Sequence, residues 1–171
     1  MRVGLATIVV LVIAALAEAP AVASVATITL AELVTDAEFV GVVRVVGIRP
    51  GIPFLLRRRA RATILESWKG QTHGEVTFVA APTWICDISD AARGEEAVVF
   101  LRRGNLLHAG RGRMPTFMRN GRTLAEIWPD VKVPAGITTE DGPKPEYRFI
   151  RGVAVGDLRD AVTILRRQAS P

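Results

Sequence analysis

The chain has 171 residues, with 22 basic against 17 acidic side chains and a formal net charge of +5 at neutral pH. A single cysteine excludes an intramolecular disulfide framework, and aromatic residues at 6% argue against a surface built to stack bases. What these figures leave is one domain with a core of its own and a basic surface. Outside a cell, that surface meets anionic lipid, cell-wall polymer or an acidic protein.

Arg2 precedes an apolar run from Val3 to Ala17, followed by "EAPAVAS". Ala21 and Ala23 form an A-x-A pattern, which predicts a signal peptide over residues 1–23, a cut after Ala23 and a mature domain over 24–171. The run is shorter than the ~20 residues a helix needs to cross a bilayer, so no transmembrane segment is expected after cleavage. An uncleaved anchor is the alternative. The reading places the protein in the periplasm or outside the cell.

"TLAE" at Thr29 to Glu32 is a capping box, and Leu30, Leu33 and Val34 then supply the stripe of a short helix. The period next changes to two. Glu38 to Ile48 is apolar on both faces, with Phe39, Val43 and Val45 on one and Val40, Val42 and Val46 on the other. Such a strand calls for cover on both sides. Arg59 to Trp68 alternates instead: Ala60, Ala62, Ile64 and Trp68 share a face opposite Arg59, Arg61, Thr63 and Ser67. Glu75 to Ala80, Glu96 to Arg103 and Arg122 to Trp128 complete the predicted strands. Between the runs lie the turn signals "RPGIP", "KGQTHG", "RRGN", "RNG" and "PAG". Finally, Leu158, Ala161, Val162 and Leu165 recur at i, i+3, i+4 and i+7, which predicts an amphipathic helix over Gly156 to Arg167. Five or six strands and a terminal helix suggest a small closed or partly open barrel, since closure removes exposed edges.

The residues "LAELVTDAEFVGVVRVVGI", "ARATILESWKG" and "CDISDAARGEEAVVFL" carry a resemblance. Their order is similar to that of exported bacterial proteins with the OB-like barrel of tissue inhibitors of metalloproteinases and netrin modules. The shared pattern is a short helix, a Val-rich strand, a strand ending in "W/L-K-G", and a Cys before "G-E-x-x-V-x-F-L". It implies a mainly β fold: an OB-like antiparallel barrel of five to six strands, a short N-terminal helix and a C-terminal amphipathic helix. It also implies a binding module rather than an enzyme. The family's inhibitors chelate zinc through a cysteine at the mature N-terminus. Here no cysteine precedes Cys86, so that activity does not transfer.

Motifs for catalysis, phosphate loops and metal clusters are absent from the sequence, and no cofactor is expected. His73 falls in a predicted turn and His108 in a predicted strand, "LLHAG"; each reads as a structural histidine. Asp87 and Asp90 read as turn caps rather than a cation loop. Cys86 is expected to be a small buried hydrophobe, with an intermolecular disulfide or a reactive thiol as alternatives. An enzyme using Cys86, paired with His108, is the weak alternative function. The candidate site is basic: Arg57, Arg58, Arg59 and Arg61, with Arg102 and Arg103, are expected to bind an anionic or protein partner. "GRGR", Gly110 to Arg113, is expected on the same face. The protein is thus read as a secreted non-catalytic interaction module of unknown partner. The alternative is an envelope-associated protein held to anionic polymer or lipid by its Arg-rich face, and nucleic acid is not expected as a partner.

Overall fold

A strand that is apolar on both faces dictates much of the architecture. The computed structural model describes residues 27–50, 58–80, 90–108, 111–143 and 150–169. In chain order these form β1 (Ile28–Thr29), α1 (Leu30–Asp36), β2 (Phe39–Arg49), β3 (Arg59–Lys69), β4 (Glu75–Val79) and β5 (Glu96–Arg102). Then follow β6 (Asn105–Leu106), β7 (Arg113–Arg119), β8 (Arg122–Ile127), β9 (Val131–Lys132), β10 (Thr139–Asp141), β11 (Arg151–Ala154) and α2 (Val155–Ala169). The fold is mainly β. Its main sheet is antiparallel in the order β10-β11-β8-β7-β5-β2-β3-β4, with β6 on β5, and β1 pairs with β9 in parallel. The sheet has free edges at β4 and β10, so its hydrogen bonds do not close into a barrel. The predicted signal peptide lies outside the described residues, as does Cys86.

Strand β2 is covered on both faces, as its pattern requires. Phe39, Val43 and Val45 pack with Ala60, Ala62, Phe78, Val99 and Leu101 in one core cluster. Val40 belongs to a second cluster with Leu30, Leu33 and Val34 of α1 and Leu158 and Val162 of α2. The predicted single apolar face of β3 does not hold along its length. Ala60 and Ala62 lie in the first cluster, with Ile64 packed against it, whereas Trp68 lies in the second. The register explains the change: Val43 opposes Ile64 and Val42 opposes Glu66, leaving Leu65 as an extra residue. One inserted residue exchanges the two faces of a strand. Leu65 itself is exposed.

The "WKG" turn becomes a junction between sheet and helices. Trp68 is buried, and Arg166 of α2 donates from Nη1 to its carbonyl. Lys69 donates from Nζ to the carbonyls of Val34 (2.7 Å) and Thr35 (3.3 Å), satisfying the open end of α1, which has no basic residue in its own last turn. Gly70 has φ +84°, and a Cβ there would sit 2.3 Å from the Glu38 carbonyl oxygen, so only glycine fits.

Strand β7 was not legible in the sequence because Pro115 interrupts it. Residues Arg113 to Pro115 pair with β5, and Thr116 to Arg119 pair with β8. The proline occupies the point where the strand changes partners, and there a missing N–H is tolerated.

At the other end of α1 the capping box forms as expected. The Thr29 amide donates to Glu32 Oε2 at 2.7 Å, and the Glu32 amide donates to Thr29 Oγ1 at 3.1 Å. These bonds, first the Thr29 amide and then its hydroxyl, hold the Glu32 carboxyl below its ordinary 4.5. A carboxyl lowered in the folded state stabilises it above the unfolded pKa, and that contribution is lost as pH falls through the folded value. Thermal unfolding of Glu32→Gln should therefore lose less stability than wild type on acidification below pH 4.5. Parallel curves for the two proteins would show that the carboxylate does not hold the cap.

Candidate functional site

The sheet curls so that β4, its free edge, comes beside β6. Arg59 makes the contact: its Nη2 donates to the Gly104 carbonyl at 2.9 Å, with longer approaches to Thr77 O and Oγ1 at 3.5 Å. Beside this contact lies a groove of about 330 Å³, lined by Glu38, Gln71, Glu75, Thr77, Arg103 and Gly104 among others. Of its apolar side chains, Phe39 and Leu101 belong to the core and show little surface, and Val76 is partly buried against it.

The turn at the mouth of the groove is a two-residue hairpin in which both central residues have positive φ, Arg103 at +49° and Gly104 at +66°. Arg102 and Asn105 are the closing pair. A type I′ turn of this kind favours Asn-Gly. The β7–β8 hairpin has that pair, with Asn120 at φ +50° and Gly121 at +74°. At the groove the first position is instead an arginine. Its backbone is held by its amide, which donates to Glu38 Oε2 at 2.9 Å, and by the Asn105 side chain on its carbonyl at 3.2 Å. The guanidinium groups of Arg102 and Arg103 are exposed and have no bonded partner among the described residues.

The other expected site residues are distributed as follows. Arg57 lies outside the described residues. Arg58 pairs with Asp90 at 2.5 Å, joining the start of β3 to the loop before β5. Arg61 stands two residues from Arg59 and approaches Glu75 at 3.6 Å, a loose pair with both side chains about half exposed. Arg103 thus lines the groove together with two carboxylates, Glu38 and Glu75, while Arg59 reaches its edge at Gly104, Arg61 is paired with Glu75, and Arg102 precedes Arg103 at the end of β5.

The "GRGR" segment is not on this surface. Arg113 is wholly buried, and its Nη1 lies 2.9 Å and 3.0 Å from the two Glu95 oxygens. Arg111 is bonded to the buried Asp130 carboxylate. Adjacent arginines in sequence have therefore been used to brace the interior. The Glu95–Arg113 pair spans two separate runs, and its sequence signal is faint: an acid just ahead of an apolar strand and a base at the start of another. His108 is not in a strand either. It follows β6 in a turn with φ +48°, exposed, with Nε2 3.7 Å from Asp36. His73 is exposed in the β3–β4 turn, and its Nδ1 lies 3.0 Å from Thr72 Oγ1. Trp68 and Trp128 are buried and present no face to a ligand. Trp84, Cys86 and Asp87 lie outside the described residues.

Among the described residues no group of three His, Cys, Asp or Glu side chains is arranged to hold a metal ion. No helix among them is long and apolar enough to cross a membrane. The chain matches no protein-family model, no curated protein and no solved structure.

Removing one member of a buried ion pair leaves the other charge stranded, typically at a cost of about 3–5 kcal/mol. Glu95→Ala should lower the stability of the domain by about 3 kcal/mol, read as a shift of the urea midpoint. A shift no larger than that of an exposed substitution such as Asp160→Ala would mean that water reaches Arg113.

Proposed function

We propose that the protein is a secreted or periplasmic, non-catalytic interaction module on an OB-like barrel, and that it binds its partner in the groove between β4 and the β5–β6 hairpin. The observation that carries the site is the Arg59–Gly104 bond, which joins β3 to the hairpin whose Arg103 lines the groove, with Arg61 and Arg102 next along the same two segments. Support for the OB-like reading comes from connectivity. The first strand of the set, β2, pairs with β3 and β5, β3 pairs with β4, and β4 lies beside β6. Such barrels are partly open and bind ligands on one flank. The export reading rests on residues 1–23.

Arg103 supports a binding role in a second way. A non-glycine residue in the left-handed region costs on the order of 1 kcal/mol. The same turn type is built elsewhere in this chain with asparagine, so the arginine is not there for the turn. Its guanidinium is exposed and has no partner among the described residues, which leaves it to a partner's anionic group.

A second reading is an envelope-associated protein held to anionic polymer or lipid by the same arginines. The exposure of Arg102 and Arg103 favours it, since no carboxylate among the described residues neutralises their guanidinium groups. Capture from cell envelopes separates the two. Binding to a protein partner is expected to disappear when the envelopes are treated with protease, whereas binding to polymer or lipid persists.

Two outcomes are expected. The double variant Arg102→Gln/Arg103→Gln should lose most of the envelope capture seen at low salt, and wild-type capture should weaken as salt rises, because exposed charges are screened within ~8 Å at physiological ionic strength. Capture that is untouched by both would remove the groove from consideration. Arg103→Asn should raise stability by about 0.5–1 kcal/mol, by giving the turn its preferred residue, while reducing binding. A variant that loses stability would show that the arginine serves the fold.

A further inference from the structure

One arrangement near the groove has no role in the fold. Arg49, the last residue of β2, stands directly opposite Arg59 in the antiparallel register with β3. Residues so paired have Cα atoms about 4.5–5.5 Å apart and project to the same face, and like charges placed there repel. Among the described residues Arg59 is bonded to neutral acceptors, Gly104 O and the Thr77 oxygens. Arg49 is exposed and has neither a hydrogen bond nor an ion pair among the described residues. Neither guanidinium is paired with a carboxylate among the described residues.

Elsewhere on the sheet several exposed cations have a carboxylate partner. Arg44 has Glu96, Arg58 has Asp90, Arg61 has Glu75 and Arg122 has Glu140. Arg119 and Arg122 also face each other across a rung, but there Arg122 has Glu140 and Arg119 has two carbonyls. The Arg49–Arg59 rung has no carboxylate among the described residues, and it is continuous with the groove. Arg59 reaches from the rung to Gly104, the neighbour of Arg103. The positions without a carboxylate among the described residues therefore run from Arg49 through Arg59 to the Arg102–Arg103 hairpin. A single small anion fills one of these positions. A line of them matches a ligand that repeats its charge.

We propose that Arg49 extends the groove into a track for a linear polyanion, a polymer bearing a phosphate, sulfate or carboxylate group on each repeat. The proposal rests on the groove reading above and adds Arg49 and the class of ligand. A bilayer fits the track less well. It gains from apolar wedges, and of the apolar side chains at the groove Phe39 and Leu101 are buried in the core and Val76 is partly buried against it.

The test uses the full chain and long-chain polyphosphate. Wild type is expected to bind it with log K falling linearly in log salt, and inorganic phosphate at equal phosphate concentration should not compete. Arg49→Gln should reduce that slope by about one, the value of one lost cation–phosphate contact. Its thermal unfolding temperature should stay the same or rise, because a repulsion has been removed. Arg49→Lys, which keeps the charge, should bind like wild type. If Arg49→Gln binds like wild type while Arg102→Gln/Arg103→Gln does not, the track is wrong and the groove stands. If all these variants bind like wild type, both fall. An Arg49→Lys as weak as Arg49→Gln would show that charge is not what matters there. Binding to phosphatidylglycerol vesicles or to polyglutamate, with none to polyphosphate, would transfer the site to a bilayer or an acidic protein and overturn the polymer assignment.

Discussion

The structure depends on the need to cover both faces of β2. A strand with apolar side chains on alternate and on intervening positions loses stability wherever either face meets water, at roughly 25 cal/mol per Å² of apolar surface. One face is covered by the sheet itself, which can reach across its own concave side only by curling. The curl brings β4 to β6. The other face is covered by α1 and α2. Helix α1 has seven residues, too few to persist alone. It is held at one end by its capping box and at the other by Lys69, which reaches it from β3. That lysine is partly desolvated and lies near Arg166, which together lower its pKa, Asp36 opposing them. The charge persists there because the carbonyls at the end of α1 accept from it.

The sequence disclosed those parts of the fold that repeat locally. The period of two located β2, β3, β4, β5 and β8, the period of 3.6 located α2, and the Thr29–Glu32 spacing located α1. It did not disclose the parts that depend on one residue out of step. The bulge at Leu65 leaves the alternation of β3 intact on paper while exchanging the core that each side chain enters. Pro115 made β7 read as a break, although the strand survives by changing partners at that residue.

The site was legible in the same partial way. "RRRAR" and "RR" are clusters in sequence, but what joins them is the bond from Arg59 to Gly104, 45 residues away. No local pattern encodes that distance. "GRGR" looked equivalent and is not, because its two arginines meet Asp130 and Glu95 in the interior. Arginine is suited to this work: it stays charged and presents several donors on a rigid plane. Arg119 donates to the carbonyls of Asp141 and Gly142, and Arg166 to that of Trp68, in each case joining one element to another. Much of the basic composition is thus consumed as structural bonding, and net charge overstates how many cations face a ligand.

What distinguishes the remaining arginines is that the fold would be better off without them. Those at structural joints lower the energy of the domain, and their positions need no further reason. Arg103 sits in a backbone region that asparagine or glycine would occupy at less cost, and Arg49 faces a like charge across a ladder rung. Each penalty is of order 1 kcal/mol or less, which a domain stable by roughly 5–15 kcal/mol can carry. Unfavourable choices of this kind persist where something outside the chain makes them favourable. Two of them lie along one line of the surface, linked through Arg59, and the term absent from the isolated protein is negative charge.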